Sequence, residues 1–233
     1  MEQEWLASPL KLREYLYTLQ DENYREFNAK LVKSDTDIIL GIQIPKLRMI
    51  AKRLAKFDCH QILTFPTITF EEKAIKGFII GYHNYTIQET IAYLRNFVQE
   101  VNNWAICDTT ASSLIIFKKE QAAGFQFIKE CLNSEQEFII RYGLILLLAH
   151  YMNEQYIEPI LEICTSIKSD YYYVNMALAW LISVAFVYHP EQTYPLFHGK
   201  LGKFVHNKSI SKIRESYRVK QIDKDHLQTL RRK

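Results

Sequence analysis

Ile140-Arg141-Tyr142-Gly143-Leu144-Ile145 and Val174-Asn175-Met176-Ala177-Leu178-Ala179 open two strongly apolar segments. Two more open upstream, at Glu72-Lys73-Ala74-Ile75-Lys76-Gly77-Phe78-Ile79-Ile80 and at Trp104-Ala105-Ile106-Cys107-Asp108. These starts recur at intervals of roughly 32 to 38 residues, close to the period of helix-pair solenoids. Amphipathic stretches such as Ile91-Ala92-Tyr93-Leu94-Arg95-Asn96-Phe97-Val98 lie between them. A helix pair cannot bury its apolar face alone, so successive pairs stack and share one core.

Periodicity predicts helices over about 9–20, 22–33, 45–56, 69–83, 87–98, 103–117, 120–132, 135–150, 154–166, 171–188, 191–199, 207–218 and 223–231. Thr86-Ile87-Gln88-Glu89 and Ser134-Glu135-Gln136-Glu137 have the form of capping boxes. Asn153, Asp170 and Asp223 are candidate N-caps, and Pro66, Pro159 and Pro190 suit helix starts or links. Glycine (7) and proline (6) are scarce, which favours helices on short links over a glycine-rich sheet fold. The expected architecture is all-α: a right-handed superhelical stack of HEAT-like (ARM/HEAT) helix-pair repeats, one domain over residues 1–233.

Composition narrows the function classes. Hydrophobic residues make up 48% and charged residues 24% of 233, ordinary for a soluble globular chain. Cys59, Cys107, Cys131 and Cys164 are dispersed, with no C-x-x-C pair, so neither zinc nor a disulfide framework is expected. Reduced, buried thiols fit a cytoplasmic protein. The acidic start Met1-Glu2-Gln3-Glu4-Trp5 has no apolar signal core, and Arg141 and His150 bracket the longest apolar run, so no membrane span is expected. No P-loop, dinucleotide fingerprint, G-x-S-x-G or H-E-x-x-H spacing occurs. Net charge is only +3, but from Lys200 onward Lys and Arg far outnumber Asp and Glu. That asymmetry points to an anionic partner, with a solvated helix face and basic tail as the alternative.

Trp104, Arg141 and Trp180 occupy roughly equivalent places in three successive pairs, and Asp108 follows Trp104 by one helical turn. The repeat would bring all four to one groove. Singly, each has a plainer reading. The tryptophans suit helix packing, Asp108 a helix cap, and Arg141 a surface pair with Glu137. Tyr171-Tyr172-Tyr173 reads as structural, with one ring in the core and another near the groove mouth. His150 and His189 read as capping or core residues near helix ends.

The chain resembles the HEAT-like-repeat DNA alkylation repair glycosylases, the AlkD family. Gly41-Ile42-Gln43-Ile44-Pro45-Lys46-Leu47-Arg48 is similar to the family's G-[IV]-x-x-P-x-x-R segment, and Ser211-Lys212-Ile213-Arg214-Glu215-Ser216-Tyr217 to its last characteristic helix. The family's W-x-x-x-D pair, arginine and second tryptophan are matched by Trp104, Asp108, Arg141 and Trp180. The resemblance implies excision of cationic N3- or N7-alkylated purines, such as 3-methyladenine and 7-methylguanine, from duplex DNA by a monomer without metal or cofactor. Asp108 would stabilise the oxocarbenium-like sugar and position water, the tryptophans would pack on the deoxyribose, and Arg141 would clamp a phosphate. Lys208, Lys212 and Arg214 are further candidate phosphate contacts. Asn102-Asn103 before the tryptophan and Cys107 beside the aspartate depart from the pattern around the motif. Two other readings stand beside this one: a non-catalytic module for distorted or branched DNA, and a protein-interaction scaffold.

Overall fold

The computed structural model describes residues 8–32 and 37–233, so the acidic start read in the sequence lies outside the described residues. The chain is all-helical there, apart from one isolated parallel bridge between Ile38 and Thr69. In order the helices are α1 (Pro9–Thr18), α2 (Glu22–Val32), α3 (Ile44–Leu54), α4 (His60–Thr64), α5 (Phe70–Tyr82), α6 (Ile87–Glu100), α7 (Trp104–Ala111) and α8 (Ile116–Lys119). They continue with α9 (Gln121–Leu132), α10 (Glu137–His150), α11 (Ile157–Ser166), α12 (Tyr172–Tyr188), α13 (Pro190–Thr193), a 3-10 turn (Tyr194–Phe197), α14 (Lys203–Glu215) and α15 (Gln221–Thr229). The chain divides into two compact units, Met1–Phe127 and Ile128–Lys233. No described helix is long and apolar enough to cross a membrane.

In the first unit α5 packs against both α3 and α7. Arg48 lies 4.4 Å from the Phe78 ring centroid, and Lys52 lies 5.4 Å from that of Tyr82. Both partners advance by four residues, so α3 and α5 run parallel. Gly77 against Thr110 and Gly81 against Ser113 give the same sense between α5 and α7. A Cβ built on Gly77 would stand 2.5 Å from Thr110 Cγ2 and 2.6 Å from Phe97 Cζ, so glycine here permits the close approach of neighbouring helices.

Four charged side chains in the first turns of α5 are buried, and each is matched. Glu72 forms a capping box with Thr69 and accepts from Arg13 Nε at 2.6 Å. Lys73 donates to both Asp37 oxygens at 2.8 and 3.0 Å, and Lys76 donates to Glu100 at 2.5 Å. Glu71, fully buried, accepts from the Leu40, Gly41 and Ile42 amides at 2.9 to 3.2 Å. Removing one partner of such a set strands a buried charge, so the matched charges fix where α5 can sit.

The second unit repeats the arrangement with α12 between α10 and α14. Tyr172 meets Phe204 edge-on at 6.1 Å, and eight residues along both helices Lys212 lies 6.0 Å from the Trp180 ring centroid. The two helices therefore run parallel and in register. His206 is buried in α14, and its Nε2 donates to the Leu230 carbonyl at 2.8 Å, which fixes the neutral tautomer. Burial pushes this imidazole below its usual range. The unfolded chain therefore takes up the proton first, and stability falls as pH drops through about 6.5. Thermal unfolding at pH 7.5 and 5.5 is expected to show a loss on acidification that is smaller in His206→Gln.

Some expected starts move. Thr86 forms the capping box read for it, but Ser134 does not: α10 begins at Glu137, and the Ser134 hydroxyl accepts from Gln136 N at 3.1 Å. Asn153 accepts from Tyr156 N in the turn before α11, Tyr171 rather than Asp170 precedes α12, and Asp223 lies inside α15. The stretch 103–117 is split into α7 and α8. The Thr109, Thr110, Ser112 and Ser113 hydroxyls all donate to nearby carbonyls, which competes with continuing the helix.

Candidate nucleic-acid interface

In the first unit the site is built on α7. Asn103 is its N-cap, with Oδ1 accepting from Ile106 N at 2.9 Å. Asp108 is thus no cap but an interior residue of the helix. Ala105, Ile106 and Cys107 are buried, whereas Trp104 and Asp108 are half-exposed, one turn apart on the same face. The structure therefore unites these two residues on the accessible side of an otherwise buried helix.

Both ends of α7 are held by basic side chains. Lys73 Nζ donates to Asn102 Oδ1 at 3.1 Å, and that oxygen also accepts from Asn103 Nδ2 at 3.0 Å. A chain of contacts thus runs from Asp37 through Lys73 and Asn102 to the cap. Near the other end, Arg48 Nη2 donates to the Thr109 carbonyl at 2.9 Å while its Nη1 donates to Tyr82 Oη at 2.7 Å. Asn103→Ala is expected to lower unfolding free energy in urea by about 1 kcal/mol, the usual cost of a lost cap. It also loosens the start of the helix that carries Trp104.

In the second unit the arginine departs from its expected role. Arg141 is only 5% exposed, and its Nη1 donates to the Tyr173 carbonyl at 2.7 Å. Glu137 accepts from Tyr173 N at 2.7 Å. The N-cap of α12, Tyr171, makes no side-chain cap, so Glu137 from α10 supplies an acceptor to the first turn instead, while Arg141 binds the carbonyl of the same residue. Arg141 Nη1 thus ties α10 to the first turn of α12.

Trp180 is half-exposed on α12, and Lys212 stands over its ring. Lys208 shares the Lys212 face one turn back, but Arg214 is exposed about 200° around the helix from it and does not join them. Tyr171 and Tyr172 are exposed, and Tyr173 packs on Phe138. His150 and His189 are both buried, which fits their reading as capping or core residues, and His189 Nδ1 lies 3.3 Å from Glu154 Oε1. Phe204 and the Tyr188–Arg218 contact at 5.0 Å were not anticipated from the sequence, and Tyr172 only as part of the tyrosine run. The step of eight from Tyr172 to Trp180 and from Phe204 to Lys212 was the available signal.

The four cysteines are reduced thiols, all buried. Burial pushes the Cys131 and Cys164 thiols up to about 12 and Cys59 to about 11, so these three are not poised as nucleophiles. Among the described residues no group of three His, Cys, Asp or Glu side chains is placed to hold a metal ion.

A family model described as DNA alkylation repair enzyme matches residues 12–194. The match takes in Trp104, Asp108, Arg141 and Trp180 and ends before α14. No curated protein matches the chain.

Proposed function

The chain belongs to the DNA alkylation repair enzyme family, and from that premise we propose that it hydrolyses the N-glycosidic bond of cationic N3- or N7-alkylated purines in duplex DNA. The observation that supports this most directly is the pairing of Asp108 with Trp104 on the accessible face of α7. An alkylated purine is already a cation and leaves as a neutral base, so it needs little help from a general acid. The sugar left behind develops oxocarbenium character, which a nearby carboxylate stabilises while it orients water. The Trp104 indole offers an apolar, electron-rich face to the deoxyribose and the charged base.

In the second unit Trp180 and Lys212, with Lys208 beside them, supply contacts with DNA. Arg141 acts through Tyr173 by holding the start of α12. We take the parallel helices as degenerate HEAT-like pairs, in a right-handed superhelical stack that works as one domain. The protein acts as a cytoplasmic monomer and uses no cofactor. The test is release of 7-methylguanine and 3-methyladenine from methylated duplex DNA. Salt-dependent binding without any release would instead support a non-catalytic DNA-binding module. No salt-sensitive affinity at all would leave the scaffold reading.

A further inference from the structure

The basic C-terminus, open to reading as a solvated tail, is fastened to α14. Asn207 pairs with the Arg232 backbone in both directions: Nδ2 donates to the carbonyl at 2.8 Å, and Oδ1 accepts from the amide at 2.9 Å. Arg232 Nη1 donates to the Leu201 carbonyl at 2.6 Å, and His206 holds Leu230. Arg231 is thereby set beside α14, its Nη1 donating to Ser211 Oγ at 3.3 Å. With Lys203, Phe204, Asn207, Lys208 and Ser211 it lines an open cavity of about 600 Å³.

No acidic side chain lines that cavity. Three cations placed around one space repel one another unless an anion enters. Phosphate alone explains the cations but not Phe204, which is 47% exposed among them. Tyr172 meets the Phe204 ring at 64°, an edge contact that leaves ring surface for another planar group. An aromatic platform ringed by cations is the pattern that binds single-stranded nucleic acid, because every base has a π-face. In a duplex those faces are already covered by neighbouring pairs. Further along the same seam, about 12 Å away, stand Trp180 and Lys212.

We propose that Phe204, Lys203, Lys208 and Arg231 form a subsite for an unpaired nucleotide of a DNA strand, the base lying on Phe204 and its flanking phosphates on the three cations. The subsite lies outside the residues of the family match, 12–194, and does not depend on base release. A protein without glycosylase activity would keep it.

The experiment measures affinity of the full chain for a labelled 12-nucleotide DNA single strand, the same sequence fully paired, and its RNA counterpart. Phe204→Leu, which keeps apolar bulk without the ring, is expected to weaken single-strand binding about tenfold and duplex binding less than twofold. Phe204→Trp is expected to restore it. Arg231→Ala is expected to reduce the slope of log K against log salt for the single strand by about 0.7. Equal loss on duplex and single strand, no loss on either, or tighter binding of the RNA overturns the proposal. Thermal unfolding of each variant separates a lost contact from a lost fold.

Discussion

Asp108→Asn is expected to lower the rate of 7-methylguanine release at least 100-fold while duplex affinity stays equal or rises slightly. The substitution keeps shape and removes charge. If the carboxylate stabilises the developing sugar cation and orients water, its loss removes an interaction that strengthens in the transition state, an effect of about 10²- to 10⁴-fold. Affinity for DNA is set mainly by cationic contacts with phosphates, and removing an acid from a polyanion-binding surface opposes none of them. The fold should tolerate the change. Asp108 is interior to α7, and the helix start is held by Asn103. Single-turnover release and anisotropy on the same preparation check both halves. A variant retaining more than about a tenth of the wild-type rate would remove Asp108 from the chemistry.

The inner helices were legible because burial and periodicity coincide in them. Phe70–Tyr82, Glu137–His150 and Tyr172–Tyr188 begin and end within three residues of their expected limits. The parallel sense of α3 with α5, and of α12 with α14, fits such an interval, since a step of about one repeat brings like positions together. Trp104 and Asp108 were legible as a pair because four residues make one turn. Arg141 was not legible. Its burial goes with a bond to the Tyr173 carbonyl, far along the chain, which periodicity does not report. The docking of the C-terminus was hidden for a similar reason. It is fixed by backbone contacts of Leu230 and Arg232 that leave no composition signature.

Glu71 is the clearest case of a residue whose role only the fold reveals, and its removal should be the most damaging single change to stability. Glu71→Ala is expected to cost about 3–5 kcal/mol in urea unfolding, because three amides buried around the carboxylate lose their acceptor and a cavity remains. Those amides, of Leu40, Gly41 and Ile42, lie at the entry to the Gly41–Arg48 segment. Gly41 has φ +85°, and a Cβ there would stand 2.2 Å from the Asp21 carbonyl oxygen. The glycine permits the bend, Glu71 holds it, and Pro45 then enters the first turn of α3. Burial raises the Glu71 carboxyl above the usual carboxylate range, against the lowering pull of the Leu40, Ile42 and Gly41 amides. With the folded value above the unfolded one, the stability this group adds is full in acid and erodes as pH rises through the folded value. The deficit of Glu71→Ala should therefore be larger at pH 5 than at pH 8; a deficit that grows with pH would reverse the assignment. The consequence reaches the site through Arg48, at the end of the same segment, which donates to the Thr109 carbonyl beside Asp108. At temperatures where the variant stays folded, base release should fall further than duplex binding does, since loosening the segment disturbs α7 while leaving the lysines of α14 in place.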